Sequence, residues 1–98
     1  MERFDLPVLF FDSGVGGISI LRRSVRLLPC EDYLYFGDSL HAPYGVRPLG
    51  EVRELCLNAL EPLIARGVKA LVVACNTATS VALRFLQRQF IPFYAPDV

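Results

Sequence analysis

Ninety-eight residues make one small domain or a piece of a larger protein, and 53% apolar content is enough to bury a core, although so small an α/β unit is marginal alone. Ten basic residues against ten acidic ones leave no net charge, which argues against a nucleic acid or an anionic membrane surface as partner. Three cysteines, an odd number with no C-x-x-C pair, disfavour both a disulfide framework and a zinc knuckle.

No apolar run approaches the ~20 residues of a membrane span, and Asp5 and Pro7 interrupt any signal-like opening. A soluble protein of a reducing cytoplasm is the default expectation.

Strands and helices alternate along the chain. Val8 to Phe11 is predicted as the first strand, followed by a helix from Gly17 to Leu28 that Pro29 stops. Ile18, Leu21, Val25 and Leu28 form its apolar stripe, while Arg22, Arg23 and Arg26 face away as a solvated surface. Tyr33 to Phe36 is the second strand, ended by Gly37-Asp38, and Ser39 to Arg47 is a loop around Pro43-Tyr44-Gly45.

Pro48 suits the first turn of a second helix that runs to about Arg66, where Gly67 closes it. Val52, Cys56, Ala59 and Leu63 are expected inside, and Pro62 predicts a kink. Ala70 to Ala74 is the third strand, and a third helix spans about Thr79 to Phe90. Pro92-Phe93-Tyr94 then starts a possible fourth strand.

This order predicts an α/β fold: an open parallel sheet with helices on both faces, of flavodoxin-like type. Ligands in such sheets bind beyond the carboxyl ends of the strands. Asp12, Asp38 and Cys75 each fall at such an end.

Two strand-to-helix turns carry chemistry. Asp12-Ser13-Gly14-Val15-Gly16-Gly17 lacks both the G-x-G-x-x-G spacing and a Gly-Lys-Ser/Thr ending, so it is not a nucleotide loop. Its amides could hold a small anion such as a carboxylate, or the glycines could simply serve a tight turn. Cys75 ends the third strand and precedes Asn76-Thr77-Ala78-Thr79-Ser80. A thiol at a helix N-terminus feels the positive end of the macrodipole and can ionise near neutral pH, whereas a thiol sealed in the core is inert. Cys56 lies on an apolar stripe as packing, and Cys30 follows Pro29 with no partner in view. His41, the only histidine, is either an acid or base or a solvated loop residue.

Phe11-Asp12-Ser13-Gly14-Val15-Gly16-Gly17, Phe36-Gly37-Asp38, Pro43-Tyr44-Gly45 and Val73-Ala74-Cys75-Asn76-Thr77-Ala78 together resemble the N-terminal half of the glutamate racemases. Those enzymes lie within the cofactor-independent aspartate/glutamate racemase family. The resemblance implies a cytoplasmic isomerase that interconverts L- and D-glutamate for peptidoglycan, with no cofactor and no metal.

Members use two cysteines, one on each side of the substrate Cα, and Cys75 matches the first. Asp12, Ser13, Pro43, Tyr44, Gly45, Asn76 and Thr77 match positions that hold the amino acid. The second cysteine belongs with a Thr-His in a C-terminal domain, and neither Cys30 nor Cys56 sits where it could replace that thiol. Residues 1–98 are therefore expected to be an N-terminal domain of a truncated racemase, inactive alone. The implied partner is glutamate, with homodimerisation common among members. A racemase for aspartate or another amino acid, and a non-catalytic module that binds small anions, are the alternatives.

Overall fold

The computed structural model describes residues 5–98. Its elements are β1 (Val8–Asp12), α1 (Ile18–Leu27), β2 (Tyr33–Gly37), a 3-10 turn (Tyr44–Val46), α2 (Leu49–Ala65), β3 (Ala70–Val73), α3 (Asn76–Phe85), a π-helical segment (Leu86–Phe90) and α4 (Ile91–Tyr94). The strands form one sheet in the order β2-β1-β3. Both pairings are parallel, with Phe10 opposite Tyr35 on one side and Val72 on the other.

The central strand β1 reads Val-Leu-Phe-Phe because both its faces are covered, which removes the usual polar alternation. Leu9 and Phe11 point to one face and join Leu34, Phe36, Leu71 and Val73 in a core closed by α2 and α3. Phe10 points to the other, where its ring meets Tyr33 edge-on at 5.9 Å. The Tyr33 hydroxyl reaches the Ser24 and Leu28 carbonyls at the end of α1, at 3.1 and 2.8 Å. Helices thus cover both faces, as expected from the alternating pattern.

Helix α1 is less buried than its stripe predicts. Leu21 is half-buried, but Ile18, Val25 and Leu28 are exposed, and no α1 residue is fully buried. Three strands make a narrow sheet, and β1 and β2 give α1 little surface to cover.

Helix α2 buries Val52, Cys56, Leu60 and Ile64, so Ala59 and Leu63 are only half-buried flankers of the inner face. The larger Leu60 and Ile64 gain more from burial than Ala59 does. The helix runs through Pro62 to Ala65. Pro62 withholds a donor from the carbonyl of Asn58, an exposed residue whose carbonyl water can serve. Gly67 ends the helix at φ +99, a left-handed conformation that favours glycine.

The expected fourth strand does not form. Ile91–Tyr94 is helical, with Pro92 in the first turn where its missing N–H has no intrahelical role. Phe90 stacks on Tyr94 at 4.8 Å, and the Tyr94 hydroxyl donates to Glu61 at 3.2 Å. Helix α3 begins three residues earlier than the predicted Thr79, because Cys75 itself caps it.

Candidate active site

The carboxyl ends of the three strands meet at one rim. The Asp38 amide donates to the Asp12 carbonyl at 2.9 Å, and the Ala74 amide donates to the Phe11 carbonyl at 2.8 Å. Asp12, Asp38 and Cys75 are thereby brought together, as the strand-end positions predict.

Asp12 is buried, and its Oδ2 accepts hydrogen bonds from the Gly17 amide at 2.5 Å and the Tyr35 hydroxyl at 2.7 Å. One carboxylate oxygen is therefore occupied in folding the glycine turn back onto the sheet. The Gly17 amide is spent on Asp12 and is not free for an outside anion, which narrows the expectation drawn from the glycine-rich turn. Gly17 has no room for a side chain: a methyl there would sit 2.7 Å from the Ala74 Cβ.

Cys75 is extended at the mouth of α3 and is its N-cap. Its Sγ accepts from the Ala78 amide at 3.5 Å, and its thiol donates to Ser13 Oγ at 3.1 Å. The residue is only 8% exposed, yet it lines a cavity of about 390 Å³ together with Asp12, Ser13, Gly14, Asn76 and Thr77. The sulfur thus faces the Asp12-Ser13 turn and is not sealed among apolar side chains.

The segment Pro43-Tyr44-Gly45 lies beside this rim without lining the cavity. A methyl on Gly45 would lie 3.6 Å from Thr77 Oγ1, and one on Gly14 would lie 3.8 Å from the Ala42 Cβ. Tyr44 does not present its side chain to the cavity. It is 1% exposed, part of the core, and its hydroxyl donates to Asp38 Oδ2 at 2.6 Å. Any hold of Tyr44 on a ligand therefore falls to its backbone. Pro43 is exposed and follows a cis peptide bond, and it does not line the cavity.

Sequence reading overlooked Tyr35 as a site residue. The signal was available: Tyr35 lies two residues before Gly37, which pairs with Asp12, so period two puts both side chains on one face. His41 also has a partner, with its Nδ1 2.8 and 3.0 Å from the two oxygens of Asp38. Cys56 is fully buried and Cys30 exposed, and neither lines the cavity.

Burial opposes ionisation of Asp38, but hydrogen bonds from Tyr44 and His41 outweigh it and hold the carboxyl below its ordinary range. Burial and the Asp38 carboxylate together push the Tyr44 phenol well above its ordinary value. Burial, with Cys75 and Asp38 nearby, pushes the Cys56 thiol from 9.0 up to about 12. Burial and Asp12 likewise push the Tyr35 phenol from 10.0 to about 12.

These raised groups keep their protons in the folded chain after the unfolded chain has lost them. Their contribution is complete below pH 9 and falls as pH rises towards about 12. Asp38 acts in the opposite sense: its contribution is present above about pH 4 and is lost as pH falls through its lowered folded value. The urea midpoint is expected to decline steadily between pH 9 and 11, and a Cys56→Ala, Tyr35→Phe variant to decline less steeply. Equal slopes in the two proteins would contradict the assignment.

Among the described residues, no group of three or more His, Cys, Asp or Glu side chains is placed to hold a metal ion, and no helix is long and apolar enough to cross a membrane. The fold and rim define an open parallel α/β domain that presents a capped thiol beside an aspartate-serine turn.

The particular relationship follows from comparison with known proteins. This chain is a homologue of the glutamate racemases and corresponds to their N-terminal portion. It is 51% identical over 90 residues to the glutamate racemase of Clostridium botulinum (strain Alaska E43 / Type E3), a match covering 92% of this chain and 35% of that protein.

The crystal structure of glutamate racemase from Thermus thermophilus in complex with beta-chloro-D-alanine superimposes with a TM-score of 0.82 at 49% identity, covering 87% of this chain and 33% of that one. Glutamate racemase from Francisella tularensis in complex with D-glutamate gives a TM-score of 0.82 at 35% identity, covering 88% and 33%. The chain thus spans about a third of the length of the curated relatives it matches, less than the half expected from the motifs. No protein-family model matches it.

Proposed function

We propose that this chain supplies one face of a two-thiol site that interconverts L- and D-glutamate. The observation that carries the reading is the Cys75 sulfur, capping α3 and 3.1 Å from Ser13 Oγ, on a cavity shared with Asp12, Asn76 and Thr77. The Ala78 amide and the first turn of α3 direct partial positive charge at that sulfur.

The Cα–H of an amino acid is a weak acid, so its removal needs a positioned base and donors for the carboxylate charge that develops. In this reading the Cys75 thiolate takes the Cα proton and becomes a thiol. The electron pair left on Cα spreads into the substrate carboxylate, where Asn76, Thr77 and rim amides donate. A second thiol delivers its own proton to the opposite face, inverting the centre. In the reverse direction the two sulfurs exchange roles. Ser13 accepts from the Cys75 thiol and, with its hydroxyl rotated, donates to the thiolate. Asp12, through the oxygen not spent on Gly17 and Tyr35, is suited to pair with the substrate ammonium.

Neither Cys56 nor Cys30 reaches the cavity, so the second thiol belongs to polypeptide outside these residues. The chain is then the N-terminal domain of a cytoplasmic racemase that serves peptidoglycan synthesis. Glutamate is preferred to aspartate as substrate because the relatives matched are glutamate racemases.

With L-glutamate in deuterium oxide, the 98-residue chain alone is expected to show neither inversion nor Cα exchange at an enzyme's rate. D-glutamate is expected to slow alkylation of Cys75 by iodoacetamide while leaving exposed Cys30 unaffected. Inversion by the chain alone would overturn the need for a second half. Equal alkylation of Cys75 with and without D-glutamate would remove the ligand.

A further inference from the structure

Asp38 lies outside the cavity yet bonds to Asp12, His41 and Tyr44 around it. It is 7% exposed, and its carboxylate receives the Tyr44 hydroxyl at 2.6 Å and His41 Nδ1 at 2.8 Å. Its own amide bonds to the Asp12 carbonyl at 2.9 Å, so the carboxylate is anchored to the end of β1. The loop's far side is tied down separately, with Arg47 Nε donating to the His41 carbonyl at 2.8 Å and Arg47 pairing with Glu51 on α2 at 2.5 Å. Tyr44 packs in the same core as Cys75 and Ala78, and its neighbours Ala42 and Gly45 lie near Gly14 and Thr77 respectively.

We infer that Asp38 is a positioning residue: through the Tyr44 hydroxyl it pins residues 42–45 as a cover beside Cys75, setting how far that thiol is open to reagents and to substrate. The inference rests on the racemase reading only for what the cavity holds. Asp38 has no contact with the sulfur in this arrangement and acts through the rim. The Tyr44 bond is the essential one, because it is short, buried and joins the cover to the sheet. The His41 pair, with its ring half-exposed, is secondary.

Three substitutions separate this role from its rivals, read as the rate of Cys75 carboxamidomethylation at pH 8 divided by that of Cys56 in the same chain. Cys56 is 1% exposed and reports global opening. Asp38→Ala removes the acceptor and Tyr44→Phe removes the donor. Each is expected to raise the ratio about fivefold, the population change that accompanies loss of one hydrogen bond. Asp38→Asn keeps an acceptor oxygen for Tyr44 and is expected to stay within about twofold of the wild type.

A direct charge effect on the sulfur predicts another order, with Asn and Ala alike and Phe unchanged, and that order would overturn the inference. So would a rise in Cys56 alkylation that keeps the ratio constant, since the carboxylate would then be merely structural. Should D-glutamate fail to protect Cys75 in the wild type, the racemase reading is lost, while the Ala, Phe and Asn order still decides the role of Asp38.

Discussion

A chimera in which residues 8–90 replace the matching segment of the Thermus thermophilus glutamate racemase is expected to racemise glutamate, and Cys75→Ala within it to lower kcat by about 10²–10⁴-fold. The match over 87% of this chain makes that graft feasible. Alanine removes the only sulfur that the described residues bring to the cavity, while leaving the α3 helix and its other donors in place. On the proposed two-thiol reading both directions of inversion should fail, because each would need one thiol to accept a proton and the other to give one.

The remaining thiol can still remove and return the Cα proton of whichever enantiomer presents it. Deuterium should therefore enter one enantiomer with retention while inversion stops. Full inversion activity in the Cys75→Ala chimera would show that this sulfur is not a base, and exchange into both enantiomers at equal rates would point to a different base on this face.

Gly37→Ala is expected to destabilise the chain by about 1–3 kcal/mol, the range for forcing atoms into a closed space. A methyl on Gly37 would stand 2.1 Å from the Gly14 carbonyl oxygen and 3.2 Å from Tyr35 Cε1. The first neighbour is backbone and cannot swing aside. The turn that carries Ser13 would have to lift, straining the Tyr35 bond to Asp12 and opening the gap between Ser13 and Cys75.

For a domain of this size each kcal/mol is worth about 4–8 °C in Tm, so a thermal melt followed by circular dichroism should resolve the change. Gly50→Ala is the control, since a methyl there meets nothing within 4 Å, and its Tm should equal or slightly exceed the wild type. A Gly37→Ala chain melting with the wild type would mean that the turn is looser than its contacts indicate.

The elements that define the fold were legible because their signals are local. Val8-Leu9-Phe10-Phe11 and Ala70-Leu71-Val72-Val73 are short apolar runs bounded by turn residues, and each became a parallel strand. Pro48 and Gly67 bracketed α2 to within a residue or two. The end of the chain was read less well. Pro92-Phe93-Tyr94 has strand-like residues, but the helical run from Asn76 onward carries through it, with Phe90 on Tyr94 and Tyr94 on Glu61. The Tyr94 bond to Glu61 joins residues 33 apart along the chain, and no local pattern announces it.

Sequence by itself determined that a thiol would end one strand and an aspartate-serine turn another, because apolar runs and glycines mark strand ends wherever they occur. Only the tertiary structure decided what each group is free to do. It turned Tyr44 inward to Asp38, committed one oxygen of Asp12 to Gly17 and Tyr35, and set Cys75 against Ser13. The reason is physical: each buried polar group takes the nearest partner that satisfies it, and that partner is set by how three strands and their helices pack, not by spacing along the chain.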